Sequence, residues 1–165
     1  MSRINMSLRK IYEQIRQIHQ SQTSELLFVT LHYKQSSFYN ILNFDTIKDT
    51  LNTILTKLSK LYFKNAFKRY NKRISSYAVV ERSKKNRCLH NHIIIQLPIH
   101  SNIQEFIKYI TKSYLKSEFA HDNLYKKIEV KRVYDAEQLI EYMHKNLQDA
   151  DAEIDDKNST YFNIV

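Results

Sequence analysis

Two histidines stand one residue apart in RCLHNHIIIQLP, residues 87–98, directly before a run of isoleucines. The apolar content of this segment is typical of a strand. Side chains alternate between the two faces of a strand, so His90 and His92 share one face while Leu89 and Ile93 occupy the other. The two imidazoles are therefore expected on a common surface opposite the apolar core, where they could bind one divalent metal ion.

Glu81 is the carboxylate best placed to join this pair. It lies near the end of RISSYAVVERS, residues 73–83, which also predicts a strand, and the polar KKN before the histidine segment is a hairpin signal. A short hairpin could bring Glu81 beside His90 and His92. A carboxylate and two imidazoles that leave coordination positions open suit Mg²⁺ or Mn²⁺ held for phosphate chemistry. The alternative is a pair of surface histidines beside a hairpin carboxylate.

A tyrosine in the last predicted helix supplies a possible nucleophile. DAEQLIEYMHKNLQ, residues 135–148, has apolar residues at helical spacing. Tyr142 lies roughly 100–130° round from the apolar stripe, and Lys145 follows on the same side. A tyrosine oxygen can attack a DNA phosphodiester and keep the 5′-phosphate covalently, while a lysine balances negative charge. Tyr109 begins a second Tyr-x-x-Lys pair, and periodicity does not separate the two tyrosines.

A sheet with helices packed on it would bring these residues together. Residues 1–22 predict an amphipathic helix. Periodicity then predicts, in order, a strand over 25–33, a helix over 45–70, strands over 73–83 and 87–98, a helix over 103–119, a strand over 125–133 and a helix over 135–148. Asp45 and Asp135 are the expected helix N-caps. The βαββαβ order predicts an α+β, ferredoxin-like sandwich with a central antiparallel sheet, an extra N-terminal helix and a C-terminal helix that carries the nucleophile.

Composition narrows the class of protein. The 165 residues are 42% hydrophobic, enough for one folded domain with its core over 25–148, and they end in an acidic tail over 149–165 without clear periodicity. The absence of glycine excludes a phosphate-binding P-loop, a dinucleotide-binding turn and a nucleophile elbow. One cysteine excludes an internal disulfide and a multi-thiolate zinc site. No apolar run is long enough to cross a membrane, so we expect a cytoplasmic protein, or a host-intracellular one if a virus or plasmid encodes it.

The charge balance points to a polyanionic partner. The formal net charge is +9, which favours nucleic acid first and an acidic membrane surface second. Lys84, Lys85 and Arg87 flank the histidine strand and are candidates for phosphate contacts. Two further basic groups could serve the same purpose: Lys68, Arg69, Lys72 and Arg73, and Lys127, Lys131 and Arg132. Each of these side chains could equally be a solvated charge.

Three motifs in this order resemble the HUH endonuclease superfamily. They are the strand LLFVTLHY, the hairpin ERSKKNRCLHNHIII and the helical YMHK, and the resemblance covers residues 25–148. It is closest to single-tyrosine rolling-circle replication initiators, since relaxases of the superfamily place the tyrosine first. The resemblance implies metal binding by His90, His92 and Glu81, and attack by Tyr142 with help from Lys145. The family's topology, with its nucleophile in the final helix, favours Tyr142 over Tyr109. Asn91 departs from the hydrophobic residue usual between the histidines.

The resemblance also implies an activity and partners. The expected enzyme is a Mn²⁺- or Mg²⁺-dependent endonuclease and strand transferase that nicks single-stranded DNA at an origin or hairpin. It would work with a helicase and a polymerase encoded by the host or the element, as a monomer or a homodimer, without a membrane partner. A single-tyrosine HUH transposase is a related alternative. A non-catalytic nucleic-acid-binding domain with the same βαββαβ plan is an alternative from another class.

Overall fold

The computed structural model describes residues 3–22, 24–34, 42–85, 87–120, 127–145, 147, 150–160 and 162, and for 3–8 it describes the backbone only. Its elements are, in chain order, α1 (Arg3–Ser21), β1 (Leu26–His32), α2 (Phe44–Tyr70), β2 (Ser76–Arg82), β3 (Leu89–Gln96), α3 (Ile103–Leu115), β4 (Ile128–Arg132), α4 (Ala136–His144) and β5 (Ala152–Ile154). The predicted order of helices and strands is confirmed from α1 to α4. Positions 1, 2, 125, 126, 146 and 148 of the predicted elements, and positions 149, 161 and 163–165 of the predicted tail, lie outside the described residues.

The strands form one antiparallel sheet in the order β4-β1-β3-β2-β5. β3 is central and pairs with β1 on one side and β2 on the other. The predicted hairpin between β2 and β3 is present, and Ser83 N donates to Cys88 O where it closes. The α+β class with an antiparallel sheet is therefore confirmed.

Helices cover both faces of the sheet and create two cores. α2 and α3 pack on the face that carries Leu27, Val29 and Leu31 of β1. α1 and α4 pack on the opposite face, against Tyr77 and Ile94 among others. Because both faces are covered, the strands that lie between the helices bury nearly every side chain.

Side-chain capping sets where the helices begin. The predicted N-cap of α4 is confirmed, because the carboxylate of Asp135 accepts a hydrogen bond from Gln138 N at 2.9 Å. The predicted N-cap of α2 is wrong by two positions. Asn43, not Asp45, caps that helix by accepting from Thr46 N at 2.8 Å, and Asp45 lies in its first turn.

The C-terminal residues form an edge strand that periodicity did not predict. β5 is three residues long and pairs with β2 through Val79–Ile154 and its neighbours. The following residues continue along the same edge, where Thr160 N donates to Ser76 O at 2.7 Å. Phe162 is buried in the core beneath α1 and α4. A strand this short shows no alternation in sequence, so only its pairing reveals it.

Among the described residues, no helix combines the length and the apolar character needed to cross a bilayer.

Candidate active site

Adjacent strands bring three potential metal ligands together. In the β2–β3 register Glu81 lies opposite His90, and His92 follows two residues later on the same face. His90 Nε2 lies 3.1 Å from His92 Nε2. Glu81 Oε2 lies 3.5 Å from the Nε2 of His92 and 3.9 Å from that of His90. Each of the three side chains offers one ligand atom, and these atoms all lie within 4.8 Å of one another. Glu81, His90 and His92 could therefore hold a metal ion.

The separation of the two imidazoles suits two ligands on one ion. Nitrogens bound at about 2.1 Å and at right angles to each other would lie about 3 Å apart, and the observed separation is 3.1 Å. The Nδ1 atoms of both rings, which face away from Glu81, also have polar neighbours. His92 Nδ1 lies 3.3 Å from Thr30 Oγ1, and His90 Nδ1 lies 3.5 Å from Cys88 O. Both Nε2 atoms therefore face the carboxylate without rearrangement of the strand.

The two histidines are buried, which differs from the surface position expected for them. Their exposed fractions are 7% for His90 and 5% for His92. The expectation assumed one apolar core, whereas the α1–α4 side of the sheet carries a second. Phe28 stacks on His92 with ring centroids 5.4 Å apart, and His32 stacks on His90 at 5.2 Å. The metal-ligand group thus lies at the border of this core, beneath partial cover.

Burial decides the protonation state of His90. Desolvation, followed by the neighbouring His92, lowers the pKa of His90 to about 4, although the Glu81 carboxylate acts in the opposite direction. The ring is therefore neutral near pH 7, which is the form that binds a metal ion.

Tyr142 of α4 lies against the same histidines. Its ring centroid is 5.3 Å from that of His92 in an edge-on arrangement, and it also contacts Phe28 at 6.3 Å. The residue is 50% exposed, so a ligand in the cleft could reach it. Burial, and then the charges of Glu81 and Glu129, raise the pKa of the Tyr142 phenol. The side chain is therefore protonated near neutral pH, and its use as a nucleophile requires that it lose a proton.

Tyr109 lies on the other side of the sheet. It projects from α3, packs against the core beneath α2 and α3, and contacts Tyr62 edge-on at 6.1 Å. Its hydroxyl donates to Glu105 Oε1 at 3.0 Å. The sheet separates it from the histidines, so the structure brings Tyr142 and not Tyr109 to the metal-ligand group.

A cationic cleft of about 720 Å³ opens above the three ligands. Lys145 lies on its wall as the C-cap of α4, one turn beyond Tyr142. Lys84 and Lys85 line the cleft from the β2–β3 turn, as their sequence position suggested. The Arg87 guanidinium makes two contacts with the carboxylate of Asp151, at 2.9 and 3.0 Å. That pair ties the hairpin to the C-terminal residues.

Three further residues of the cleft were not assigned from sequence. His32 stacks on His90, while Glu129 and Lys131 of β4 pair with each other at 2.7 Å. All three line the cleft. The alternation of β1 places His32 on the correct face, but only the β1–β3 register shows that it lies opposite His90.

Asn91 points away from the cleft into the opposite core. Its Oδ1 accepts a hydrogen bond from the Tyr33 hydroxyl at 2.6 Å, and the residue is fully buried. This bond satisfies the amide oxygen, whereas the buried amide nitrogen of Asn91 has no hydrogen-bond partner among the described residues. Asn91 therefore takes no part in the metal-ligand group, and its place between the two histidines is a matter of core packing.

The fold and the cleft together define an α+β protein with a candidate divalent-metal site and an adjacent tyrosine. No protein-family model matches the sequence, and the curated proteins provide no match.

Proposed function

We propose that the chain is an HUH-type endonuclease that nicks single-stranded DNA and becomes joined to the new 5′ end through Tyr142. The observation that carries the proposal is the position of the Tyr142 ring, 5.3 Å from the ring of His92 within one cleft. Tyr142 lies on α4 and His92 on β3, and the two residues are 50 positions apart in sequence. A nucleophile beside a candidate metal-ligand group is the arrangement that cleavage of a phosphodiester by tyrosine requires.

The proposal includes a ferredoxin-like topology. Its support is the order of the four larger strands, β4-β1-β3-β2, all antiparallel, with α2 and α3 on one face. β5 extends the sheet beyond β2. α4 crosses the opposite face and carries Tyr142 to the end of the sheet where Glu81 and the histidines lie.

The metal in this proposal is Mg²⁺ or Mn²⁺, held by His90, His92 and Glu81. One carboxylate and two imidazoles leave coordination positions for phosphate oxygens. Such an ion, when bound there, would supply positive charge that neutralises the scissile phosphate and polarises it toward attack. The neutral state of His90 and the convergence of the two Nε2 atoms favour binding at this position.

The reaction is an exchange of one phosphodiester for another. Tyr142 Oη attacks the phosphorus, a bond forms between them, and the bond from phosphorus to the 3′ oxygen breaks. The phenol loses its proton and the departing 3′ oxygen gains one, so no net oxidation or hydrolysis occurs. Lys145, one turn further along α4, is proposed to balance the phosphate charge during this exchange. Lys84 and Lys85 are proposed to hold flanking phosphates.

We further propose that the reaction initiates rolling-circle replication, with the free 3′-hydroxyl used by a polymerase. The presence of Lys145 three residues after Tyr142 favours this over transposition. These 165 residues contain no glycine and hence no phosphate-binding loop, so strand separation is assigned to a helicase activity outside them.

A labelled pool of random single-stranded oligonucleotides tests the proposal. With Mn²⁺ present, we expect the 3′-labelled pool to yield a denaturant-resistant protein–DNA adduct, because the downstream fragment stays on Tyr142. The 5′-labelled pool should yield shorter free products that a polymerase extends. Chelation of the metal should abolish both outcomes.

Matched variants identify the nucleophile. Tyr142→Phe removes one oxygen and should abolish the adduct, whereas Tyr109→Phe on the other face of the sheet should leave it intact. Lys145→Ala should slow the reaction without abolishing it, since its charge tunes the step but forms no bond. An adduct that persists in Tyr142→Phe would refute the assignment of the nucleophile. Metal-dependent binding of the pool without any adduct would favour the non-catalytic domain.

A further inference from the structure

The second half of α2 and the residues after it form a basic surface remote from the cleft. Residues 57–73 contain seven cationic side chains and no acidic one: Lys57, Lys60, Lys64, Lys68, Arg69, Lys72 and Arg73. All except Arg73 are exposed. Among the described residues, no ion pair involves any of the seven. A large part of the net charge of +9 is therefore concentrated, without local compensation, on one surface.

The surface lies at the end of the sheet opposite the cleft. α2 ends at Tyr70, and the chain enters β2 at Ser76, whereas Glu81 lies at the other end of that strand. Five residues of strand separate the two ends by about 17 Å. α2 also packs on the face of the sheet away from α4 and Tyr142. A strand of DNA in the cleft would not reach this surface without passing around the molecule.

Contacts with neighbouring side chains position several of these cations. α2 is interrupted at Lys64, which has φ 42° and ψ −109°, and the helix continues beyond it to Tyr70. Phe67 from beyond this interruption lies under Lys60 at 5.6 Å and under Arg73 at 5.2 Å. Cations from both sides of the interruption are thus gathered round one ring. Arg73 is fixed further by bonds to Asn71 Oδ1 and Thr56 Oγ1.

The chemistry of the surface decides between possible partners. Single-stranded nucleic acid stacks its successive bases on a series of exposed aromatic rings. Among the aromatic side chains of residues 57–73 only Tyr70 is exposed, at 78%, whereas Phe63 and Phe67 are half-buried and carry Lys72, Lys60 and Arg73 above them. Insertion into an anionic membrane uses a continuous face of exposed apolar side chains, and this surface offers two, Leu61 at 42% and Tyr70 at 78% exposed. A dense group of cations with only these two exposed apolar side chains matches the closely spaced phosphates of a duplex.

We propose that this surface, which we call the α2 basic surface, binds the phosphate backbone of double-stranded DNA without reading its sequence. It would hold a duplex that flanks the nicking site while the cleft engages a single strand. The choice of DNA over double-stranded RNA rests on the proposed function. The existence of a duplex-binding surface rests only on the charges and contacts of residues 57–73.

Two triple variants with the same spacing and charge change test the proposal. One combines Lys60→Gln, Lys64→Gln and Lys68→Gln on α2. The other combines Lys108→Gln and Lys112→Gln on α3 with Lys116→Gln at its C-cap, and all six lysines are exposed. Binding to a fluorescent random-sequence DNA duplex is measured across a range of salt concentrations. The α2 variant should bind about tenfold more weakly or worse, with a salt slope smaller by about 2–3, since each phosphate contact contributes about 0.9. The α3 variant should stay close to the unmodified protein.

Other outcomes would overturn the proposal. Equal weakening in the two variants would mean that only net charge matters. An equal loss of single-stranded binding in the α2 variant would assign the surface to single strands, and loss of binding to phosphatidylserine vesicles alone would assign it to membranes. Thermal unfolding and adduct formation on a short single strand should be unchanged in the α2 variant. If the unmodified protein binds duplex through these lysines but forms no adduct, the α2 basic surface stands and the proposed nicking function fails.

Discussion

At the scale of single residues, the candidate metal site follows from the alternation of side chains along a strand. His90 and His92 point to one face because they are two positions apart. Asn91 between them points to the other core, where the Tyr33 hydroxyl donates to its amide oxygen. Glu81 joins them because β2 and β3 pair directly, in a register that places it opposite His90. Glu129 also lines the cleft but is paired with Lys131. Of these two carboxylates, Glu81 belongs to the group that could bind a metal ion, whereas Glu129 forms an ion pair with Lys131.

This difference predicts unequal effects on metal binding. Glu81→Ala should weaken the binding of Mn²⁺ by about tenfold or more, because one of the three proposed ligands is lost. Glu129→Ala in the same cleft removes the same charge but no proposed ligand, and it should change the affinity much less. Isothermal titration calorimetry of the two variants and the unmodified protein measures this. Equal affinities in Glu81→Ala and the unmodified protein would remove Glu81 from the site.

At the scale of elements, α1 acts as the support of the helix that carries Tyr142. Tyr12 of α1 and Tyr77 of β2 both place their hydroxyls on His144 Nε2, at 2.6 and 2.7 Å. Arg16 pairs with Glu137 at 3.1 Å, and His19 contacts Tyr134 O at 3.0 Å. These contacts run the length of the α1–α4 interface. The extra N-terminal helix therefore fixes the position of α4 above the sheet.

The His144 contacts predict a dependence of stability on pH. Burial lowers the pKa of His144, so the unfolded chain takes up a proton at a higher pH than the folded chain does. This contribution to stability is fully present above the unfolded pKa of about 6.5 and is lost as the pH falls below it toward the folded value. Urea unfolding, measured with a chelator present, gives the free energy of unfolding at about pH 7.5 and at about pH 5.5. The decrease between the two pH values should be smaller for His144→Phe than for the unmodified protein.

The same variant has a cost at neutral pH, and a control separates the two effects. His144→Phe removes a shared partner of two hydroxyls and should lower the free energy of unfolding by about 1–2 kcal/mol at neutral pH. His100→Asn changes an exposed turn residue and serves to detect any general effect of losing a histidine. Identical acid sensitivity in His144→Phe and the unmodified protein would exclude His144 as its source.

At the scale of the whole molecule, the C-terminal residues close the sheet that holds the candidate site. Asp151 binds Arg87 of the hairpin, and Phe162 reaches the core beneath α1 and α4. Between them Asp155 is fully buried, and its carboxylate accepts bonds from Asn158 N at 3.1 Å and Asn158 Nδ2 at 2.6 Å. Asn158 Nδ2 also donates to Lys48 O at 2.8 Å. An acidic segment is in this way bound across the edge of β2 and onto α2.

Adjacent aspartates test this closure. Asp155→Ala leaves the buried amide of Asn158 without its carboxylate and should lower the free energy of unfolding by about 1–3 kcal/mol. Asp156→Ala alters an exposed neighbour and should change the stability by no more than about 0.5 kcal/mol. Urea denaturation of the two variants provides the comparison. Equal stabilities would show that the C-terminal residues add little to the fold.

Local patterns predicted much of the fold and the members of the candidate site. The alternation in β1 correctly separates Leu27, Val29 and Leu31 from His32, and the helical stripe of α4 correctly leaves Tyr142 on its flank. Patterns failed where they are too short or too subtle. β5 has three residues, and the choice between Asn43 and Asp45 as an N-cap depends on which side chain meets the backbone of Thr46.

The sequence by itself determined which side chains share a face, because alternation and helical periodicity are properties of the local backbone. It did not determine what covers each face. The burial of His90 and His92, the place of His32 opposite His90, and the separation of Tyr109 from Tyr142 by the sheet all came from the tertiary structure. The physical reason is that strand register and the side on which a helix crosses the sheet are decided by contacts between segments far apart in sequence. No local pattern records those contacts.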